Sequence, residues 1–141
     1  MIDQEGFEGW LLFIDDALQQ FLDEVPDGVS QRLDFTPRSL DALEAWLLNK
    51  YDSPAAILQP SENWYLDRAA RYVGETIRRS AGGEWAINLD NPSVVFYGVP
   101  VIKGMESSYT ECPASLVTAA LDRRRRNYIR MVVENIPRQG R

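Results

Sequence analysis

Residues 63–103 read NWYLDRAARYVGETIRRSAGGEWAINLDNPSVVFYGVPVIK, and a change of pattern inside them decides the fold. The first part has helical spacing: Leu66, Ala70, Val73 and Ile77 recur at steps of three and four, which predicts a helix over residues 64–80. Ser61 or Asn63 is placed to cap it. Gly82 and Gly83 then stop the helix and free the chain to turn. Beyond them, EWAINL and SVVFYG have the lengths and composition of strands, and DNP between them is a turn signal, so a β-hairpin is expected. Residues 100–104, PVIKG, offer a further short strand.

Outward from this segment, helices dominate. Leu11, Ile14, Leu18, Phe21 or Leu22, and Val25 predict a first helix over residues 7–25, ended by Pro26 and Gly28. QRLDF, residues 31–35, reads as a short edge strand. Thr36 as cap and Pro37 at the first helical position open a second helix, with Leu40, Leu43, Leu47 and Trp46 on its buried stripe. Pro54 and Pro60 limit the connection that follows. Cys112-Pro113 precedes ASLVTAALDRRRRNYIRMVVENI, which reads as one long helix or as two with a break near the arginines, ended by Pro137. The fold class expected is α+β in a single domain over residues 1–141: a small antiparallel sheet of two to four strands packed against about four helices.

Composition narrows the function. The chain has no histidine and one cysteine, Cys112, which removes the commonest general base, His-containing triads, thiolate zinc clusters and an internal disulfide. No cofactor and no metal site are expected. Asp15-Asp16 and Asp23-Glu24 are adjacent helical pairs whose side chains diverge by about 100°, a poor chelating geometry. SAGGEW lacks the GKS or GKT ending of a phosphate loop. Cys112 at a helix start and the hydroxyls of Ser107, Ser108, Tyr109 and Thr110 have no predictable base nearby. The opening residues show no basic-then-apolar leader, and apolar runs are far shorter than a membrane span, so a cytoplasmic protein without a membrane partner is expected.

Charge is divided along the chain. Residues 1–67 hold 14 Asp+Glu and 3 Lys+Arg, a net −11; residues 68–141 hold 7 and 12, a net +5, giving −6 overall. Such a molecule can dock its own halves, pair with a copy of itself, or hold a charged partner.

Two groups of candidate binding residues follow. On the 64–80 helix, Glu75 lies about 180° from Leu66, and Arg68, Tyr72 and Arg79 fall within about 60° of it. This predicts a stripe of Arg68, Tyr72, Glu75 and Arg79 facing away from the core, rich in the residue types of interface centres. It also reads as a plain solvated face with a Glu75–Arg79 pair. In the late helix Arg123, Arg126 and Arg130 share a face at i, i+3 and i+7; they serve as solvated or internally paired charges, or as contacts to an acidic protein surface. Nucleic acid is disfavoured by the net charge of −6 and a pI near 4.7. Gly74 inside the helix suggests a close internal contact, and Trp85 an anchor of the sheet on the helices.

YVGETIRRSAGGEW, the strands after it and ECPASLVTAALDRR resemble small acidic bacterial proteins of unassigned function, chiefly actinobacterial. The resemblance spans residues 37–126 and rests on Tyr72, Gly74, Glu75, Gly82, Gly83, Glu84, Trp85 and Pro113. In general style the chain is also similar to bacterial immunity proteins, which bind and block a toxin. The resemblance implies no catalytic residues. The reading favoured is a non-enzymatic protein-binding domain whose partner is another protein or a second copy. Its rivals are a carboxylate-dependent enzyme using Glu75 and Glu84, and a nucleic-acid-associated regulator using the arginine cluster.

Overall fold

The structure, a computed structural model, describes residues 2–105 and 109–137. The α+β class holds, with one three-stranded antiparallel sheet against helices, but eight α-helices occur among the described residues instead of about four. Six of them have seven residues or more.

The extra helices have local causes. The expected helix over residues 7–25 is divided into α1 (Gln4–Leu12) and α2 (Ile14–Glu24) by Phe13, at φ −88° and ψ 0°. The apolar spacing of Leu11, Ile14 and Leu18 continues across the break, so spacing alone does not reveal it. Pro26 ends α2 and opens a single turn, α3 (Asp27–Ser30). Residues 31–35 form turns, not the expected edge strand, and Phe35 takes a left-handed φ of 64°. Thr36 does cap the next helix, accepting from the Ser39 N–H at 3.3 Å, and a 3-10 turn over Pro37–Ser39 leads into α4 (Leu40–Lys50). Pro54 starts another single turn, α5 (Pro54–Ile57).

The long helix α6 (Asn63–Ala81) is the axis of the fold. Every residue from Ala69 to Ile77 is buried, because α2, α7 and the sheet cover it from different sides. Gly82, at φ 92°, ends it. Strand β1 (Glu84–Ala86) then pairs with β2 (Val101–Lys103), not with residues 94–98. Those residues form successive turns closed by backbone bonds, Tyr97 N–H to the Val94 carbonyl and Gly98 N–H to the Asn88 carbonyl, and entered through side-chain acceptors: Asn88 takes the N–H groups of Asp90 and Asn91, and Asn91 that of Ser93. Turn chemistry thus outweighs the strand preference of Val94-Val95. Gly83, at φ 94°, cannot carry a side chain, since a Cβ would meet the Lys103 carbonyl and the Met105 sulfur. Strand β3 (Thr110–Glu111) completes the order β1-β2-β3.

The late helix is two helices. The first, α7 (Pro113–Arg123), ends at Arg124 in the left-handed region, φ 54°; Arg126 is left-handed too, φ 75°, before α8 (Tyr128–Glu134). One core cluster joins α2, α4, α5, α6, β2, α7 and α8, with Phe21, Leu40, Leu43, Leu47, Tyr72, Ile77, Ile102, Leu121 and Ile129 fully enclosed. No helix among the described residues is long and apolar enough to cross a membrane.

Candidate functional site

The expected stripe on α6 does not form a surface. Tyr72 is wholly buried and stacked on Phe35 at 4.7 Å. Its hydroxyl accepts the Phe35 N–H at 2.9 Å and shares a 2.7 Å hydrogen bond with the Ser39 hydroxyl. Burial pushes the Tyr72 phenol up from its ordinary value of 10.0. Glu75 is only 9% exposed. It accepts the Trp85 indole N–H at 2.8 Å and pairs with Arg78 at 3.0 Å, so the expected Glu75–Arg79 pair is replaced by Glu75–Arg78. Arg79 instead lies over the Phe35 ring at 3.9 Å. Arg68 reaches across to α2, donating to Gln20 at 2.6 Å and stacking over Trp64 at 4.5 Å. The reason is geometric: α6 is covered on more than one side, so Tyr72 and Glu75, opposite its apolar stripe, are also interior, while Arg79 near its end stays exposed.

Gly74 has the close internal contact its position suggested. A Cβ there would overlap the Trp85 ring, so Gly74 lets the indole lie against α6. Trp85 meets Trp10 edge-on at 4.8 Å, and Trp10 donates its indole N–H to Asp67 at 2.7 Å. Arg71, buried and 3.9 Å over the Trp10 ring, donates to Asp67 at 2.8 Å and to the Trp10 carbonyl at 2.7 Å. Sequence reading missed Arg71, Asp67 and Trp10; the available signal was Arg71 lying next to Ala70 on the buried stripe.

The arginine run is a helix-to-helix turn. The break after Arg123 scatters the expected Arg123/Arg126/Arg130 face. Arg123 stacks over Tyr128 at 4.7 Å, and Arg130 pairs with Asp41 at 3.0 Å. Arg126 is exposed. Arg124 donates to the carbonyls of Leu48 at 2.8 Å and Tyr51 at 3.0 Å, at the carboxyl end of α4, where a cation is favoured. Opposite it, Glu44 of α4 is fully buried and accepts the N–H groups of Ile129 at 2.8 Å and Tyr128 at 3.2 Å. Desolvation raises its carboxyl above the ordinary 4.5, against the lowering effect of those N–H groups. Glu44 was legible only as an acid in the register of Leu40, Leu43 and Leu47.

The acidic first segment is left open. Asp3, Glu5, Glu8, Asp15, Asp16, Asp23, Glu24 and Asp27 are all exposed, and no Lys or Arg precedes Arg32. Among the described residues none of these eight enters an ion pair; the pairs that form use Asp41, Asp67 and Glu75. Leu12, 88% exposed, stands at the α1–α2 junction with Phe13, 38% exposed, beside it. Glu8 precedes Leu12 by one turn and Asp15 and Asp16 follow by one turn.

Groups suited to other chemistry are dispersed. Cys112 is buried at the start of α7, while Ser107 and Ser108 lie outside the described residues. The surface hollow bordered by Glu84, with Leu11, Ile14, Arg78 and Trp85, does not include Glu75. No group of three or more Cys, Asp or Glu among the described residues is placed to hold a metal ion. No protein-family model, curated protein or solved structure matches this chain.

Proposed function

We propose that this chain is a non-enzymatic protein-binding domain whose contact surface is the exposed face of α1 and α2, and that its partner presents a cationic surface. The observation that carries this reading is the set of exposed acids on α1 and α2, Glu5, Glu8, Asp15, Asp16, Asp23 and Glu24, none of which enters an ion pair among the described residues, on two helices that meet at the exposed Leu12 and Phe13. Apolar residues framed by charge reproduce the anatomy of a protein interface. The uncompensated field steers an oppositely charged partner, and the apolar pair supplies contact energy once it arrives. Among the described residues, Arg124 and Arg130 are engaged with α4 and Arg123 lies over Tyr128, so these three are not the internal partners of this face.

Capture from cells that express the chain tests the reading. Immobilised wild type should retain a cationic protein at low salt and less of it at moderate salt. Leu12→Ser, an exposed change that leaves the core intact, should retain much less. Equal retention by both proteins would place the contact surface elsewhere.

A further inference from the structure

A second feature, independent of the acidic face, is a concave groove of about 470 Å³ between α1, the first half of α6, β1 and the loop before β2. That volume lies in the range of small-molecule sites. Its walls include Trp10, Leu66, Ala70, Trp85 and Pro100, and its polar side chains are Asp67 and Asn63. The Asp67 carboxylate is held in place by three donors: the Trp10 indole on one oxygen, and Arg71 and Arg68 on the other. It nonetheless keeps 28% of its side chain exposed, so acceptor capacity remains on the groove side. Two guanidinium groups already offset its charge, which disfavours a cation and leaves a neutral donor as the matching group. Trp10, which carries Arg71 over its ring, and Trp85, set at 77° to it, contribute aromatic wall beside it.

We propose that this groove binds a small neutral aromatic molecule carrying one hydrogen-bond donor, the ring against Trp10 and Trp85 and the donor on Asp67. The carboxylate is prearranged by the fold, so little ordering is needed on binding.

The test is a titration of the full chain followed by NMR, with the indole N–H signals of Trp10 and Trp85 as reporters and p-cresol as the probe. Both signals should move saturably. Toluene, which lacks the donor, should bind about tenfold more weakly, the equivalent of one hydrogen bond, and benzylamine, which is cationic, should bind more weakly than p-cresol. Ala114→Phe, which fills the groove from the start of α7, should abolish the shifts while leaving the rest of the spectrum native; should it fail to fold, Val99→Phe on the loop wall serves the same purpose. The proposal is overturned if p-cresol gives no saturable shift, if toluene or benzylamine binds as tightly, or if the folded groove-filling variant responds like wild type.

Discussion

The carboxylate of Glu44, on α4, accepts the backbone N–H of Ile129, on α8, at 2.8 Å inside the core. A side chain from one helix thereby caps the first turn of another that lies 85 residues away. Tyr128 and Ile129 have N–H groups that no preceding helical carbonyl can serve, and at Ile129 burial excludes water. Glu44→Leu should therefore destabilise the chain by about 2–4 kcal/mol, since it strands the buried Ile129 donor and the part-buried Tyr128 donor. Glu44→Gln should cost less, because one amide oxygen still accepts. Urea midpoints of the three proteins check both.

The same group makes a pH prediction. Burial raises the Glu44 carboxyl above 4.5, so the folded state holds its proton more tightly than the unfolded chain. Its contribution to stability therefore rises as pH falls from neutral through the raised value, and is complete below 4.5. Glu44→Gln lacks this contribution. The stability advantage of wild type over Glu44→Gln should grow on mild acidification, measured by urea unfolding at a series of pH values; a constant difference would show that Glu44 does not titrate in this way.

Gly74→Ala should destabilise by about 1–3 kcal/mol despite alanine's better helix propensity, because the new methyl group has no room beside Trp85. Gly74→Ala combined with Trp85→Leu should lose less than the sum of the two single changes. Thermal or urea unfolding of the four proteins gives the coupling directly. Strict additivity would mean that Gly74 and Trp85 do not meet.

Tyr72→Phe should cost about 1–2 kcal/mol. It strips the Phe35 N–H and the Ser39 hydroxyl of their shared partner, at a point where Phe35 holds a left-handed backbone. Denaturant unfolding measures it, and partner binding of the folded variant should be unchanged.

Arg124→Ala should destabilise by about 1–2 kcal/mol, as two carbonyls at the end of α4 lose a charged donor. Arg125→Ala, in an exposed position one residue on, should leave the unfolding midpoint where it is. The contrast distinguishes an arginine clamp from a general effect of charge.

Punctuation was legible in the sequence, and burial was much less so. Thr36-Pro37 and Gly82-Gly83 mark helix ends through backbone chemistry that acts locally, and both positions behave as expected. Gly74 pointed to a close contact for the same reason. Periodicity, by contrast, reports one apolar face and assumes that the other meets solvent. That assumption fails for α6, where Tyr72, Glu75 and Arg71 are interior because the helix is enclosed. Phe13 breaks a helix without disturbing its apolar spacing, and nothing in RRRR announces that Arg124 and Arg126 turn left-handed. The Val94-Val95 strand lost to Asn88 and Asn91, whose side chains bind their own backbone. The acidic face was visible as composition. That it forms no ion pair among the described residues depended on where the arginines fold, which no local pattern encodes.

The most direct measurement is carboxylate footprinting of the chain alone and with its captured partner. On complex formation, labelling of Glu8, Asp15, Asp16 and Asp23 should fall sharply, while Asp90 and Glu134, outside the proposed face, remain as reactive as before. Undiminished labelling of the α1–α2 acids in a saturated complex would contradict the account.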